Sequence, residues 1–139
     1  MNTWDDPDTI REILAECQTW AVVGLGNNPG RPAYDVARFL QQHGKRIVPV
    51  HPRAQPVLGE PGYARLADIP FAVDCVDVFR RGEQAGGHAD EAVAIGAKAV
   101  WFQLGVLDQA AFDRATAAGL LMIMNHCPAI EWPTYGPAS

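Results

Sequence analysis

The sequence is short of charge, of paired cysteines and of long apolar runs. Only 19% of the 139 residues are charged, and 16 acidic against 11 basic residues give a net charge of −5, which disfavours the broad basic surface of a nucleic-acid-binding protein. The three cysteines, Cys17, Cys75 and Cys127, lack the spacing of a disulfide framework or a zinc site, so we expect thiols in a reducing compartment and no metal. No apolar run reaches the length of about 18 residues that a membrane-spanning helix needs. The amino terminus is acidic where a signal peptide would be basic. These absences predict a cytoplasmic protein that binds neither a membrane nor nucleic acid.

What the chain does have is enough apolar sequence for a core, since 48% of its residues are hydrophobic. At this length such a composition favours one compact domain. We expect a single domain over residues 1–139, with its core at about 20–126 and an irregular tail over 127–139, where prolines and a glycine accumulate.

Short apolar runs alternate with helical patterns along the whole chain. After an amphipathic helix that starts at Pro7, five runs fit buried strands, and the third of them is the longest: 20–23, 47–50, 72–78, 99–102 and 120–124. Helical patterns or turns occupy the gaps, at 33–43, 64–68, 83–95 and 108–118. Because parallel strands need such crossovers, the pattern predicts an α/β, Rossmann-like fold, a five-stranded parallel sheet with helices on both faces.

Glycine and arginine follow the predicted strands at their carboxyl ends, where ligands bind in an open parallel sheet. The first strand leads into a turn, Gly24 to Arg31, and then into a helix whose amino terminus can hold a phosphate. Arg53 follows the second strand, and Arg80 and Arg81 follow the third. This local concentration of positive charge in an acidic protein predicts a site for a phosphorylated small molecule.

The turn differs from the fingerprint of NAD-binding proteins. Pro29 stands where G-x-G-x-x-G has its third glycine, and Val50-His51-Pro52-Arg53 stands where those proteins have an acidic residue. Neutral or cationic groups at this point suit a phosphorylated ribose. NADP and coenzyme A carry such a ribose, and NAD does not.

Seven segments, taken in order, resemble the small stand-alone CoA-binding proteins, which are similar to the amino-terminal CoA-binding domain of the succinyl-CoA synthetase alpha subunit. The segments are 21–34, 48–52, 58–60, 68–70, 73–80, 98–105 and 125–131. The resemblance covers about residues 20–132 and implies a Rossmann-like fold that holds coenzyme A across the carboxyl edge of the sheet. We therefore expect a non-catalytic carrier, sensor or regulatory module that binds coenzyme A or an acyl-CoA, with any protein partner left open. The implied cofactor site consists of Gly24, Leu25, Gly26, Asn27, Asn28, Pro29, Arg31, Pro32, Tyr34, Val50, His51, Pro52, Arg53, Phe79, Arg80, Gln103 and Gly105.

A small NADP-linked or thiol-dependent enzyme is the alternative, because His126 beside Cys127 could activate the thiol. Neighbours on an extended segment point to opposite faces, so a buried cysteine and a separate histidine are favoured and no catalytic residue is assigned. Asp74 and Asp77, three residues apart in the third strand, do not form a paired carboxylate site. We expect Asp77 to accept hydrogen bonds from amides of an adjoining loop.

Overall fold

The computed structural model describes residues 3–81 and 83–137. Its strands are β1 (Thr19–Val23), β2 (Arg46–Val50), β3 (Cys75–Val78), β4 (Ala99–Phe102) and β5 (Leu121–Ile123). Its helices are α1 (Pro7–Glu16), α2 (Pro32–Gln42), α3 (Glu83–Ala94), α4 (Gln109–Ala117) and α5 (Pro128–Tyr135), with a 3₁₀ turn at Leu66–Asp68. Asp6 and Asp108 cap α1 and α4, because their carboxylates accept the N–H groups of Thr9 and Ala111.

The five strands form one parallel sheet in the order β2-β1-β3-β4-β5. Strand order reverses between β1 and β3, since the chain first moves outward to β2 and then returns past β1. The loops after β1 and β3 therefore diverge to opposite faces of the sheet and leave a crevice between them. The predicted α/β, Rossmann-like fold is confirmed.

Two apolar layers cover the sheet, one on each face. On one face, Val76 and Phe102 pack with the small side chains of α3 and with Phe112 of α4. On the other face, Trp20 and Trp101 pack with α1, α2 and α5, and their ring centroids lie 6.0 Å apart. Because both faces are covered, the strands are buried on both sides, as their near-continuous apolar runs predict.

Strand β3 is shorter than expected. It begins at Cys75, not at residue 72, and β1 and β2 are each longer. In the ladder Cys75 lies opposite Trp20 of β1 and Ala99 of β4. The neighbouring strands offer residues 72 and 73 little to pair with, so the apolar run overstated the length of the strand.

The expected irregular tail is wrong over residues 128–135, which form α5. Pro128 occupies the first helical turn, where a proline costs no hydrogen bond. Pro133 lies inside the helix and removes one backbone hydrogen bond there, and side-chain packing offsets the loss of that bond. The ring of Trp132 lies edge-on to Phe39 at 5.8 Å, and the guanidinium of Arg11 lies 5.0 Å from the centre of the Tyr135 ring. The segment thus packs over one face of the sheet.

Candidate functional site

Two adjoining cavities open at the carboxyl edge of the sheet. The smaller one, here called the glycine pocket, has a volume of 380 Å³ and is lined by Gly24, Leu25, Gly26, Asn27, Asn28, Arg31, His51, Arg53, Gln55 and Arg80. The larger one, here called the large cleft, has a volume of 1440 Å³ and is lined by Gly24, Gly30, Arg31, Pro32, Ala33, Asp35, Val36, Phe39, Phe79, Arg80, Arg81, Glu83, Gln84, Gln103, Leu104, Val106, Cys127 and Ala129. Gly24, Arg31 and Arg80 line both cavities. The crevice at the strand reversal is therefore one continuous site with two parts.

Glycine is required at the first position of the turn after β1. Gly24 has φ +100°, and a Cβ there would lie 3.3 Å from the Cβ of Phe79 and 3.7 Å from Nε of Arg80. At Gly26 a Cβ would lie 3.7 Å from the His51 ring, an ordinary contact. Gly24 therefore serves the fold as well as the site, whereas the missing side chain of Gly26 leaves open space beside the imidazole.

The asparagines hold the turn in shape. Oδ1 of Asn28 accepts the N–H of Gly30 at 2.9 Å, and Nδ2 of Asn27 donates to the Pro56 carbonyl at 2.8 Å. Arg31 is the N-cap of α2 and makes no side-chain cap hydrogen bond. The amino end of α2, with its partial positive charge, therefore faces the large cleft, which Pro32 and Ala33 line.

The four arginines that the sequence singled out all line the crevice. Arg31 and Arg80 border both cavities, Arg53 borders the glycine pocket and Arg81 borders the large cleft. Across residues 3–81 and 83–137, none of these four forms an ion pair with a carboxylate. Arginines elsewhere do form such pairs: Arg11, Arg38, Arg65 and Arg114. The crevice thus holds positive charge that the described protein does not neutralise, which suits an anionic ligand.

His51 lines the glycine pocket together with two of these arginines, Arg53 and Arg80. Burial lowers the pKa of its imidazole below the usual value, and the positive charges of Arg80 and Arg53 lower it further. Nδ1 of His51 accepts the N–H of Arg53 at 3.2 Å, so a neutral ring carries its proton on Nε2. That nitrogen lies close to Gly26. At neutral pH His51 is an uncharged hydrogen-bond donor beside the glycine turn.

Most of the predicted cofactor residues come together at the crevice, but five of them line neither cavity: Pro29, Tyr34, Val50, Pro52 and Gly105. Val50 is only 3% exposed, and Tyr34 packs against the core. The N–H of Gly105 donates to Oδ1 of Asn125 at 2.8 Å. Leu25 is buried as well, so it can offer a ligand only backbone atoms. These residues shape the loops around the crevice, and a direct cofactor role for any of the predicted residues stays a prediction.

Sequence reasoning missed the residues that α2, α5 and the loop after β4 contribute to the large cleft. Val36 and Phe39 come from α2, Leu104 and Val106 from the loop, and Ala129 from α5. The wall formed by α5 could not be foreseen while that segment was expected to be irregular. Pro128 directly after Cys127 was the available signal, because proline favours the first turn of a helix.

Two polar side chains lie buried on the face of the sheet that α1, α2 and α5 cover. Gln103 is 5% exposed, lines the large cleft, and has no hydrogen-bond partner for Oε1 within the described residues. Asp77 is fully buried, and within the same part of the chain neither of its oxygens has a partner. The expectation that loop amides bind Asp77 is wrong, because its place in the sheet between Val22 and Trp101 keeps it away from the loops. Burial raises the pKa of Asp77 well above its usual value.

The side chains considered for catalysis are not joined. Nδ1 of His126 lies 3.6 Å from Oε1 of Glu131, and no hydrogen bond connects its ring to the thiol of Cys127 in the described structure. Cys127 is 7% exposed at the wall of the large cleft. No cluster of three or more His, Cys, Asp or Glu side chains that could hold a metal ion occurs among the described residues. None of the described helices is long and apolar enough to cross a membrane.

A doubly wound parallel sheet, with a glycine turn and unneutralised arginines where its strand order reverses, defines a Rossmann-like domain with a positively charged crevice. Residues 18–133 match the model of the family described as CoA binding domain. The chain belongs to this family.

Two relatives and one further protein of similar fold were found. The uncharacterized protein YneT of Bacillus subtilis strain 168 is 36% identical over 118 residues, which are 85% of this chain and 87% of that protein. A hypothetical protein from Pyrococcus horikoshii OT3 is 32% identical, with a TM-score of 0.88 over 97% of this chain and 98% of its own. The dinucleotide-forming acetyl-coenzyme A synthetase 1 of Ca. Korarchaeum cryptofilum is 20% identical, with a TM-score of 0.70 over 80% of this chain and 26% of its own, and shows a similar fold.

Proposed function

We propose that this protein binds coenzyme A or an acyl-CoA in the crevice and acts as a single-domain cytoplasmic carrier, sensor or regulatory module without chemistry of its own. The observation that carries the proposal is the set of four arginines around the glycine turn, none of them paired with a carboxylate in the described structure. Membership of the CoA binding domain family supports it.

Coenzyme A has two anionic parts, a diphosphate and a ribose phosphate, and the crevice has groups for each. We place the diphosphate over the turn from Gly24 to Arg31, near the amino end of α2, where backbone N–H groups and the helix dipole favour negative charge. We place the ribose phosphate beside His51 and Arg53. The remaining arm of the cofactor then continues past Phe79 into the large cleft.

The test compares four ligands by thermal unfolding and by calorimetry: coenzyme A, dephospho-coenzyme A, NADP and NAD. We expect coenzyme A to stabilise the fold most. We expect dephospho-coenzyme A to bind about tenfold more weakly or worse, because a charge-assisted contact contributes about 1.5–3 kcal/mol. Stabilisation by NADP without stabilisation by coenzyme A would refute the proposal.

The enzyme alternative, in which Cys127 and His126 act at the reactive end of a bound cofactor, has its own test. Cys127→Ser is assayed for coenzyme A affinity and for thioester or NADPH turnover beside the wild type. If the wild type turns over a thioester and the variant does not, Cys127 performs chemistry and the non-catalytic proposal is wrong. An unchanged affinity without turnover in either protein supports the binding module.

Binding of coenzyme A should take up protons through His51. The pKa of His51 is lowered in the free protein by burial and by Arg80 and Arg53. A bound phosphate offsets those positive charges and raises the pKa again, so the contribution of His51 to affinity should increase as pH falls through the window of roughly pH 5 to 8 in which histidine titrates. Calorimetry in two buffers of different ionisation enthalpy measures the protons taken up.

His51→Gln is the matched control for this pH dependence. The phosphate of the ligand has a second pKa of about 6, and contact with arginines makes it release protons, the opposite sign. Subtracting the proton uptake of His51→Gln from that of the wild type gives the proton uptake by the His51 imidazole. An identical proton balance in the two proteins would show that His51 does not sense the ligand.

A further inference from the structure

The large cleft offers more room than an extended cofactor arm requires. Its volume of 1440 Å³ compares with 380 Å³ for the glycine pocket and exceeds the roughly 300–1,000 Å³ of ordinary small-molecule sites. Because Gly24, Arg31 and Arg80 border both cavities, a ligand held by its phosphates at the turn can continue into the large cleft. Space remains there for a group attached to the far end of that ligand.

Apolar side chains from separate segments form part of the walls of this space. Val36 and Phe39 come from α2, Phe79 follows β3, Val106 lies in the loop after β4, and Ala129 lies in α5. Covering such a surface with an apolar group removes it from water, which is favourable. This apolar part of the walls therefore fits a hydrocarbon chain.

The mouth of the large cleft is apolar as well. Leu104 borders it and is 54% exposed. The other large hydrophobic residues exposed in the described chain are Leu107, in the same loop, and Ile130, which follows the lining residue Ala129 in α5. Of these three, Leu104 is the one that lines the cleft, and an exposed large apolar side chain is expected at the edge of a binding site; Leu107 and Ile130 lie elsewhere in the two segments that border it.

The charges on the lining of the large cleft offer no advantage to an acidic group. Arg31 and Arg80 are shared with the glycine pocket, where the phosphates are placed. Asp35, which pairs with Arg38, and Glu83 then face the large cleft with Arg81 as the remaining cation of the lining. A ligand carboxylate would therefore find no net positive charge in this part of the cleft.

We infer that the large cleft is an acyl subsite, which accepts the uncharged hydrocarbon chain of an acyl-CoA thioester in preference to a short or carboxylated acyl group. This inference rests on the proposed binding of coenzyme A and names the class of its ligand. Gln103 lines this cleft with a buried side-chain amide, and its Oε1 has no hydrogen-bond partner among the described residues. It can accept an N–H from the amide-containing arm that joins the nucleotide to the thioester.

Calorimetry with coenzyme A, acetyl-CoA, octanoyl-CoA and succinyl-CoA tests the subsite. Each fully buried CH₂ group strengthens binding about fourfold, the equivalent of about 0.8 kcal/mol. We expect Kd for octanoyl-CoA to be at least about tenfold below that for acetyl-CoA, since two such groups already give more than this. Succinyl-CoA should bind no tighter than acetyl-CoA.

Two leucines of one loop provide a matched pair of variants. Leu104→Ser should reduce the ratio of acetyl-CoA Kd to octanoyl-CoA Kd at least about threefold. Leu107→Ser should leave that ratio unchanged, because Leu107 is 52% exposed but does not line the cleft. Equal effects of the two substitutions would overturn the assignment.

The outcomes separate this inference from the proposed function. If coenzyme A and acetyl-CoA bind but octanoyl-CoA binds no tighter, the acyl subsite is wrong and the coenzyme A site stands. If succinyl-CoA binds tightest of the thioesters, the cleft selects a carboxylate and the inference is likewise wrong. If no coenzyme A compound binds, the proposed function itself has failed.

Discussion

Asp77→Val is expected to raise the free energy of unfolding by about 1–3 kcal/mol at neutral pH, because it removes a buried polar group that has no partner among the described residues. Valine is similar in size and suits a buried parallel strand. Neighbouring Val22 and Trp101 keep their contacts, so no cavity opens. Urea unfolding of the two proteins at a series of pH values measures the difference.

The gain from Asp77→Val should grow with pH. Burial raises the pKa of Asp77 in the folded state, whereas in the unfolded chain it is about 3.9. Above the unfolded pKa the native state therefore holds a proton that the unfolded state has lost, and wild-type stability falls by up to about 1.4 kcal/mol per pH unit until the folded pKa is reached. The variant has no carboxyl group at this position, so its stability does not fall with pH in this way. A variant that is less stable than the wild type by the same amount at every pH would show that Asp77 contributes a favourable contact.

Asp74→Ala is the control, because its expected pH dependence has the opposite sign. Although burial by itself would raise the pKa of Asp74, the N–H groups of Thr19 and Gln18 and the charge of Lys98 lower it below the usual value. The stabilisation that ionised Asp74 provides is fully present above the pKa of the unfolded chain, about 3.9. It is lost as pH falls through the lower pKa that Asp74 has in the folded protein. Asp74→Ala should cost about 1–3 kcal/mol at neutral pH and progressively less in acid.

Arg80→Gln is expected to weaken coenzyme A binding by about 10- to 100-fold, the equivalent of about 1.5–3 kcal/mol for the loss of a charge-assisted contact. Arg80 borders both cavities, and its Nε lies close to Gly24. It is half-buried and pairs with no carboxylate in the described structure, so the fold should not depend on its charge. Calorimetry gives the affinity, and thermal unfolding without ligand checks the fold.

Arg65→Gln is the matched control for Arg80→Gln. Arg65 is exposed, pairs with Asp68 at 3.2 Å and lines neither cavity, so its substitution should leave coenzyme A affinity unchanged. A second readout is independent of the ligand. Because Arg80 helps to lower the pKa of His51, nuclear magnetic resonance should show that pKa rising in Arg80→Gln and unchanged in Arg65→Gln. Equal losses of affinity in both variants would mean that general charge, and not a specific site, attracts the ligand.

The alternation of strands and helices could be predicted because it depends on local sequence. An apolar run such as 99–102 favours a buried strand wherever the segment lies in the fold. A glycine ends a helix through the conformation of its own backbone. Gly44 and Gly119, for example, have positive φ just beyond the ends of α2 and α4. The arginines of the crevice were predictable for a related reason, since the carboxyl ends of parallel strands meet at one edge of the sheet.

The sequence by itself determined the fold class and the residues that reach the edge of the sheet, because these follow from chain-local periodicity and from the direction of parallel strands. Only the tertiary structure decided that residues 128–135 are helical, that Asp77 lacks a partner in the described protein, and that α2, α5 and the loop after β4 enclose a large cleft. Each of these depends on contacts between segments far apart in the chain. Such contacts can offset the cost of a proline inside a helix or bury a carboxyl group, and the composition of the segment itself does not predict them.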